Sequence, residues 1–131
     1  MSSWRTETAA DLDDAAQRIR GVVDTVSGEP TDAQLRSVWR AYLLVEKSIA
    51  FIKVELDEEN PGAIVRMAAY SVPDERQALQ FALRNLARGV ESFRVGDLGR
   101  SLRELRECRN YLRVLLREKR LKRLRNERGR P

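Results

Sequence analysis

The residues best suited to chemistry in this chain are one cysteine and two groups of carboxylates, since the sequence contains no histidine. Histidine is the commonest general base near neutral pH and a frequent metal ligand, so its absence removes both roles. A nucleophilic cysteine needs an exposed, electropositive setting and usually a base beside it. Cys108 instead falls among leucines at helical spacing, which predicts a buried and unreactive thiol.

The two groups of carboxylates have ordinary structural explanations. The first lies near the start of the first predicted helix, where the helix dipole stabilises negative charge, and comprises Asp11, Asp13 and Asp14. The second lies at the end of the second predicted helix and comprises Glu55, Asp57, Glu58 and Glu59. A divalent cation could bind Glu55 with Glu58 or Glu59, but the second set of inward carboxylates found in carboxylate-bridged metal bundles is missing. We predict neither a metal site nor a cofactor.

Motifs for nucleotide binding are also missing. The sequence has no Gly-x-x-x-x-Gly-Lys loop and no strand that a Gly-x-Gly-x-x-Gly turn could follow. The segment from Ala82 to Leu116 resembles several families of helical hairpin repeats. It also loosely resembles helical nucleotide-binding and nuclease bundles whose active site is an arginine followed a few residues later by a histidine. Without histidine that activity does not carry over, and the sequence predicts a protein that is not an enzyme.

Apolar residues at helical spacing cover nearly the whole chain, and no segment alternates like a strand. The first helix is predicted to begin near Thr8 and to end at Gly28. The second begins at Thr31, which forms a capping box with Gln34, and ends at Asn60. Its apolar surface is much wider than one seam, which predicts a central helix touched by several neighbours. That surface contains Leu35, Val38, Trp39, Tyr42, Leu43, Leu44, Val45, Ile49, Ala50, Phe51, Ile52, Val54 and Leu56.

Three further helices complete the predicted fold. A short helix follows Asn60 and turns Ile64, Met67 and Ala68 inward. A fourth helix is capped by Asp74 and stops at Gly96, and Asp97 caps the last one. The apolar stripe of the last helix contains Leu98, Leu102, Leu105, Cys108, Leu112, Leu115 and Leu116. We therefore predict an all-α protein, an antiparallel bundle of four long helices plus one short helix, with a basic C-terminal helix extension.

Length and composition set the domain organisation. The 131 residues suit one domain, predicted to be a helical bundle over residues 1–116 with a basic extension over residues 117–131 whose end is disordered. The N-terminus lacks the apolar region of a secretory signal, and no stretch approaches the roughly 18 apolar residues of a membrane span. A single cysteine favours a reducing compartment. We predict a cytoplasmic protein.

Charge is distributed unevenly along the chain and carries most of the functional information. Residues 113–131 contain nine basic and two acidic residues, a net charge of +7, whereas the other 112 residues have a net charge of −2. A row of arginines flanks the apolar stripe of the last helix and contains Arg103, Arg106, Arg109, Arg113, Arg117 and Arg120. Such a row would hold phosphate groups, with Lys122, Arg123 and Arg125 continuing it.

Two functions follow from these patterns. The first is a non-enzymatic protein that binds the phosphate backbone of DNA or RNA without sequence specificity through the arginine-rich last helix. The second is a module for protein association, as a homodimer or an adaptor, that docks through the same helix. Its predicted interface faces away from the core stripe and contains Tyr111, Val114, Leu121 and Leu124.

Overall fold

The computed structural model describes residues 3–56 and 74–128, with side chains described as far as Arg120 in the last helix. Within these ranges there are helices and no strands, so the predicted all-α fold is confirmed. The helices are α1 (Ser3–Thr25), α2 (Asp32–Glu55), α3 (Glu75–Arg94) and α4 (Leu98–Arg128). The short helix predicted after Asn60 lies outside the described residues.

The predicted starts of α2 and α3 and the predicted turn at Gly96 are confirmed, whereas α2 ends at Glu55, before the predicted Asn60. The Thr31 hydroxyl accepts a hydrogen bond from the Gln34 amide at 3.1 Å, and the Gln34 side chain accepts one from the Thr31 amide at 2.8 Å. Asp74 caps α3 by accepting from the Gln77 amide at 2.7 Å. Gly96, between α3 and α4, has a φ of 84°, a left-handed conformation that glycine adopts without steric cost.

The predicted start of α1 is wrong by five residues. The helix begins at Ser3 instead of near Thr8, and Thr8 is a buried residue inside the helix rather than its cap. Trp4 explains the longer helix, because its ring packs edge-on against Phe93 of α3 at 6.0 Å and stacks with Phe51 of α2 at 6.5 Å. These contacts with other helices stabilise the first turn of α1, and the spacing of residues within α1 could not predict them.

The contacts at the two ends of the bundle fix the helix directions. The start of α1 lies beside the ends of α2 and α3, as the Trp4 contacts with Phe51 and Phe93 show. At the other end, Lys119 of α4 forms ion pairs with Glu75, the first residue of α3, and with Glu29, which follows α1. Helices α1 and α4 therefore run in one direction and α2 and α3 in the other. Both α1 and α4 pack against α2 and α3, which places α1 and α4 on one diagonal of the bundle.

The core includes the apolar stripe that helical spacing predicted in α4. In α4 the predicted stripe is buried from Leu98 to Leu115, Cys108 included, and Leu116 is partly buried against it. The largest fully buried side chains come from all four described helices and include Leu12, Ile19, Val38, Val45, Ile52, Leu79, Leu86, Leu102, Leu105 and Leu112. None of the described helices is both long enough and apolar enough to cross a membrane.

Among the described helices, the prediction that α2 is central is wrong. Of these helices α2 contacts α1 and α4 but not α3, so it occupies one corner of the described bundle, as the other three do. The extra apolar width of α2 is an outward surface, on which Trp39 is 48% exposed, Leu43 46% and Val54 79%. A wide apolar stripe arises either from many neighbours or from apolar side chains left in solvent, and spacing along one helix does not distinguish the two.

Gly89 lies in a close contact between α3 and α4. A Cβ added there would meet Cδ2 of Leu105 at 2.8 Å and its Cγ at 3.0 Å, and Leu105 is fully buried. The Ser101 hydroxyl donates to the Gly89 carbonyl at 2.8 Å, which holds the two helices at this separation. We expect Gly89→Ala to destabilise the protein by about 1–3 kcal/mol in urea unfolding, because the core must shift to admit the methyl group.

Gly21 is the matched control for this substitution. It lies inside α1 with nothing within 4 Å of an added Cβ. Alanine is a better helix former than glycine, so Gly21→Ala is expected to stabilise the protein by about 0.5–1 kcal/mol. Equal effects of the two substitutions would contradict the close approach at Gly89.

Candidate functional site

The structure divides the predicted arginine row of α4 into paired and exposed members. Glu46 of α2 lies between two of them, with Oε1 at 3.5 Å from Nη1 of Arg109 and Oε2 at 3.6 Å from Nη2 of Arg113. These pairs are partly shielded, since the Arg109 side chain is 18% exposed and that of Glu46 34%. Arg109 and Arg113 thus serve the packing of α4 against α2, and one carboxylate faces both of their charges.

Tyr42 joins the same group from one turn earlier on α2. Its hydroxyl accepts hydrogen bonds from Nε and Nη2 of Arg113, both at 3.4 Å, and donates to Oε2 of Glu46 at 3.5 Å. The other side of the Tyr42 ring stacks with Trp39, with ring centroids 5.4 Å apart. An aromatic pair on α2 therefore borders the arginines of α4.

Lys119 is committed to the body of the bundle. Its Nζ lies 2.6 Å from Glu75 and 3.5 Å from Glu29, and its side chain is 13% exposed. The hydrogen bond from Lys119 lowers the pKa of the Glu75 carboxyl below its usual value. Burial lowers the pKa of Lys119, but its hydrogen bond to Glu75 and the charges of Glu75 and Glu29 raise that pKa by more. This lysine stays charged near neutral pH with acidic partners on two sides.

Three members of the predicted row are exposed. Arg103, Arg117 and Arg120 form no ion pair with another described residue, and all three face solvent. Arg106 is half-buried and interacts within the protein. The α4 helix continues through the positions of Lys122, Arg123 and Arg125, whose side chains lie outside the described part. Of the three, Arg117 and Arg120 lie in the second half of α4 and Arg103 lies in the first.

The predicted partner interface on α4 does not face solvent where it is described. Val114 is 7% exposed, and the half-buried Tyr111 ring packs against Phe81 of α3 with centroids 5.5 Å apart. Because α4 packs against both α2 and α3, more of its circumference is enclosed than a single core stripe predicts. The prediction that Tyr111 and Val114 face outward as a partner interface is therefore wrong. Leu121 and Leu124 lie outside the described side chains.

Apart from Val95, the exposed large apolar side chains of the described residues lie on α2 or at its end, where the sequence predicted interior positions. They include Trp39, Leu43, Phe51 and Val54. One signal in the sequence was available, since Trp39 and Leu43 are flanked by Arg36, Arg40 and Lys47, charges that belong to a solvent-facing surface.

Cys108 and the described members of the two carboxylate groups are engaged in structural contacts. Cys108 is fully buried, and burial raises the pKa of its thiol far above the usual range. The carboxylates of the first group lie in the middle of α1 and not near its start, because the helix begins at Ser3. Each of them pairs with a cation: Asp14 with Arg18, Asp13 with Arg94 and Asp11 with Lys47. Of the second group, Glu55 pairs with Arg5 and the other members lie outside the described residues. Among the described side chains, no group of three or more cysteines and carboxylates could hold a metal ion.

Comparison with known proteins gives no match: no protein-family model fits the chain, and no curated protein or solved structure is detectably similar to it.

Proposed function

We propose that this protein binds nucleic acid through the second half of α4, without sequence specificity and without catalysing a reaction. The exposure of Arg117 and Arg120 supports the proposal most directly. Glu46 and Glu75 lie against Arg109, Arg113 and Lys119 but not against these two arginines. Guanidinium groups bind phosphate oxygens through two parallel hydrogen bonds, so exposed arginines on one rigid helix suit a polyphosphate backbone.

The basic segment beyond Arg120 extends the proposed surface. Lys119 pairs with Glu75, the first residue of α3, and the α4 helix continues from Arg120 to Arg128. We propose that residues 117–131 form a basic C-terminal extension to a bundle of residues 1–116, with Lys122, Arg123 and Arg125 contacting further phosphates. Binding by this extension releases counterions from the nucleic acid and is strongly salt-dependent. A cytoplasmic location belongs to the same proposal, since a single buried cysteine suits a reducing compartment.

Fluorescence anisotropy with labelled 20-nucleotide DNA and RNA, single-stranded and duplex, tests the proposal. The proposal involves five phosphate contacts, made by Arg117, Arg120, Lys122, Arg123 and Arg125. Five contacts predict that the affinity for duplex nucleic acid falls by roughly several hundred-fold between about 50 and 200 mM salt. A chain truncated after Arg120 keeps the Lys119 ion pairs but loses the phosphate contacts of Lys122, Arg123 and Arg125. Its affinity for nucleic acid should therefore depend less steeply on salt concentration. Two unrelated sequences should bind alike. Absence of binding at about 50 mM salt would contradict the proposal.

Glu46 offers a prediction in which stability and binding change in opposite directions. We expect Glu46→Gln to lower the free energy of unfolding by about 0.5–1.5 kcal/mol, since Arg109 and Arg113 lose a partly shielded carboxylate between two helices. The same change should raise affinity for duplex DNA by roughly two- to five-fold, because the two arginines are no longer neutralised.

Glu91→Gln is the matched control for the Glu46 prediction. Glu91 is exposed on α3, forms no ion pair with another described residue, and its replacement changes the net charge equally. If both variants raise affinity alike, the gain reflects net charge alone and the specific role of Glu46 is refuted.

A second candidate function is protein association through the outward face of α2. Leu43 and Val54 are 46% and 79% exposed on that face, which moves the predicted association surface away from α4. Light scattering coupled to size exclusion would compare the wild type with the double variant Leu43→Glu and Val54→Glu. An assembly that dissociates in the variant supports this function, whereas an unchanged mass removes it.

A further inference from the structure

The aromatic pair of α2 lies next to the proposed phosphate-binding helix. Trp39 stacks with Tyr42 at an interplanar angle of 25°, and the Tyr42 hydroxyl accepts hydrogen bonds from Arg113 of α4. Helices α2 and α4 run antiparallel, and Tyr42 on α2 contacts Arg113 on α4. The residue one turn before Tyr42 is therefore level with the residue one turn after Arg113. Trp39 and Arg117 therefore lie at the same height of the bundle.

The indole of Trp39 is held in place and is also accessible. Tyr42 covers one side of the ring, and Tyr42 is itself fixed by Arg113 and Glu46. The Trp39 side chain is nonetheless 48% exposed. An aromatic ring that is braced on one side loses little conformational freedom when a second flat group stacks on it.

The charges around Trp39 are mainly positive. Arg36 and Arg40 are exposed on α2, three residues before and one residue after the indole. Arg117 is exposed on α4 at the same height. One acidic residue of this region, Glu46, already faces Arg109 and Arg113. An accessible aromatic ring bordered by free guanidinium groups is complementary to a base and its neighbouring phosphates.

We propose that Trp39 is a stacking platform for an unpaired base, so that the preferred ligand is single-stranded nucleic acid. This inference rests on the proposed function, since the α4 arginines hold the phosphates that bring the base to Trp39. In a duplex the base faces are stacked on one another and are not accessible to a side chain. Single strands expose them, and every base has a face that can stack, so the preference is for strandedness and not for sequence.

The intrinsic fluorescence of Trp39 gives a direct test. The chain has two tryptophans, so the Trp4→Phe variant leaves Trp39 as the sole reporter while keeping an aromatic ring against Phe93. A 12-nucleotide single-stranded DNA of mixed sequence is the probe, and the same sequence as a duplex is the comparison. Stacking predicts strong quenching of Trp39 emission by the single strand and little quenching by the duplex at equal saturation.

Substitutions at Trp39 test the contribution to affinity. Trp39→Leu keeps an apolar side chain but removes the stacking face, and is expected to weaken single-strand binding by about 5- to 150-fold. Duplex binding should change by less than about two-fold, and Trp39→Phe should retain most of the single-strand affinity. Leu43→Ala is the matched control, because Leu43 is equally exposed on the same face one turn away.

The outcomes separate this inference from the function on which it rests. If the wild-type protein binds neither single-stranded nor duplex DNA at about 50 mM salt, both the proposed function and the stacking role of Trp39 are refuted. Equal binding of single strand and duplex, unaffected by Trp39→Leu, refutes stacking alone and leaves phosphate binding intact. Equal losses for Trp39→Leu and Leu43→Ala would assign the surface to an apolar partner and also overturn the inference. A loss of affinity that is seen only for Trp39→Leu, and only with single-stranded DNA, supports the stacking role of Trp39.

Discussion

Replacing Arg117 and Arg120 together by glutamate is expected to weaken duplex DNA binding by about 100-fold at low salt. Each arginine is taken to contribute a charge-assisted hydrogen bond of roughly 1.5 kcal/mol, and two such losses amount to about 100-fold in the dissociation constant. The slope of log affinity against log salt should become less steep by about 1.8, because two phosphate contacts disappear. Anisotropy titrations at several salt concentrations measure both quantities.

The pair Arg20→Glu and Arg88→Glu controls for net charge. Both residues are exposed, on α1 and α3, and neither forms an ion pair with another described residue. This control changes the net charge by the same amount as the α4 variant, but away from the proposed surface. Similar losses in the two double variants would show that binding follows total charge and has no location on α4. Arg113 is left unchanged because Arg113→Glu would place a second carboxylate beside Glu46 and destabilise the bundle.

The largest expected effect on stability comes from Leu105→Ala. Leu105 is fully buried in the core and fills the space next to Gly89 in the contact between α3 and α4. Removing a buried leucine side chain costs about 2–5 kcal/mol, and a tightly packed site that relaxes poorly gives the upper part of that range. This is a large fraction of the roughly 5–15 kcal/mol by which a typical domain is stable. Urea unfolding followed by circular dichroism measures the loss.

Two comparisons make the Leu105 result specific. Leu43→Ala removes the same atoms from a side chain that is 46% exposed and should cost less than about 1 kcal/mol. In the Leu105→Ala background, Gly89→Ala should lose most of its destabilising effect, because the atoms that its methyl group would meet are gone. Additive effects of Gly89→Ala and Leu105→Ala would mean that the two residues are not in contact.

The division between paired and exposed arginines is central to the proposed function. Within the described chain, acidic residues of α2 and α3 meet Arg109, Arg113 and Lys119 at the sides of α4 that face neighbouring helices. These contacts hold α4 in place by charge as well as by its leucines. The remaining exposed arginines of α4 are then presented from a rigid support, which reduces the entropy lost when they bind a phosphate backbone.

The sequence by itself determined the features that depend on neighbours along the chain. The capping box of α2, the Asp74 cap, the turn at Gly96 and the buried stripe of α4 are all set by residues within a few positions of one another. A helix has a fixed period and its ends need local hydrogen-bond partners, so these elements are readable from spacing and residue type.

Tertiary structure alone decided which charges and apolar groups remain available. An arginine that meets Glu46 and one that faces solvent look identical in the sequence, because the partner is some sixty positions away and reaches α4 only through helix packing. The same reason explains the early start of α1, the burial of Val114 and the exposure of Trp39 on a helix predicted to be central. Local spacing determines which face of a helix is apolar, but only the positions of the other helices determine what that face contacts.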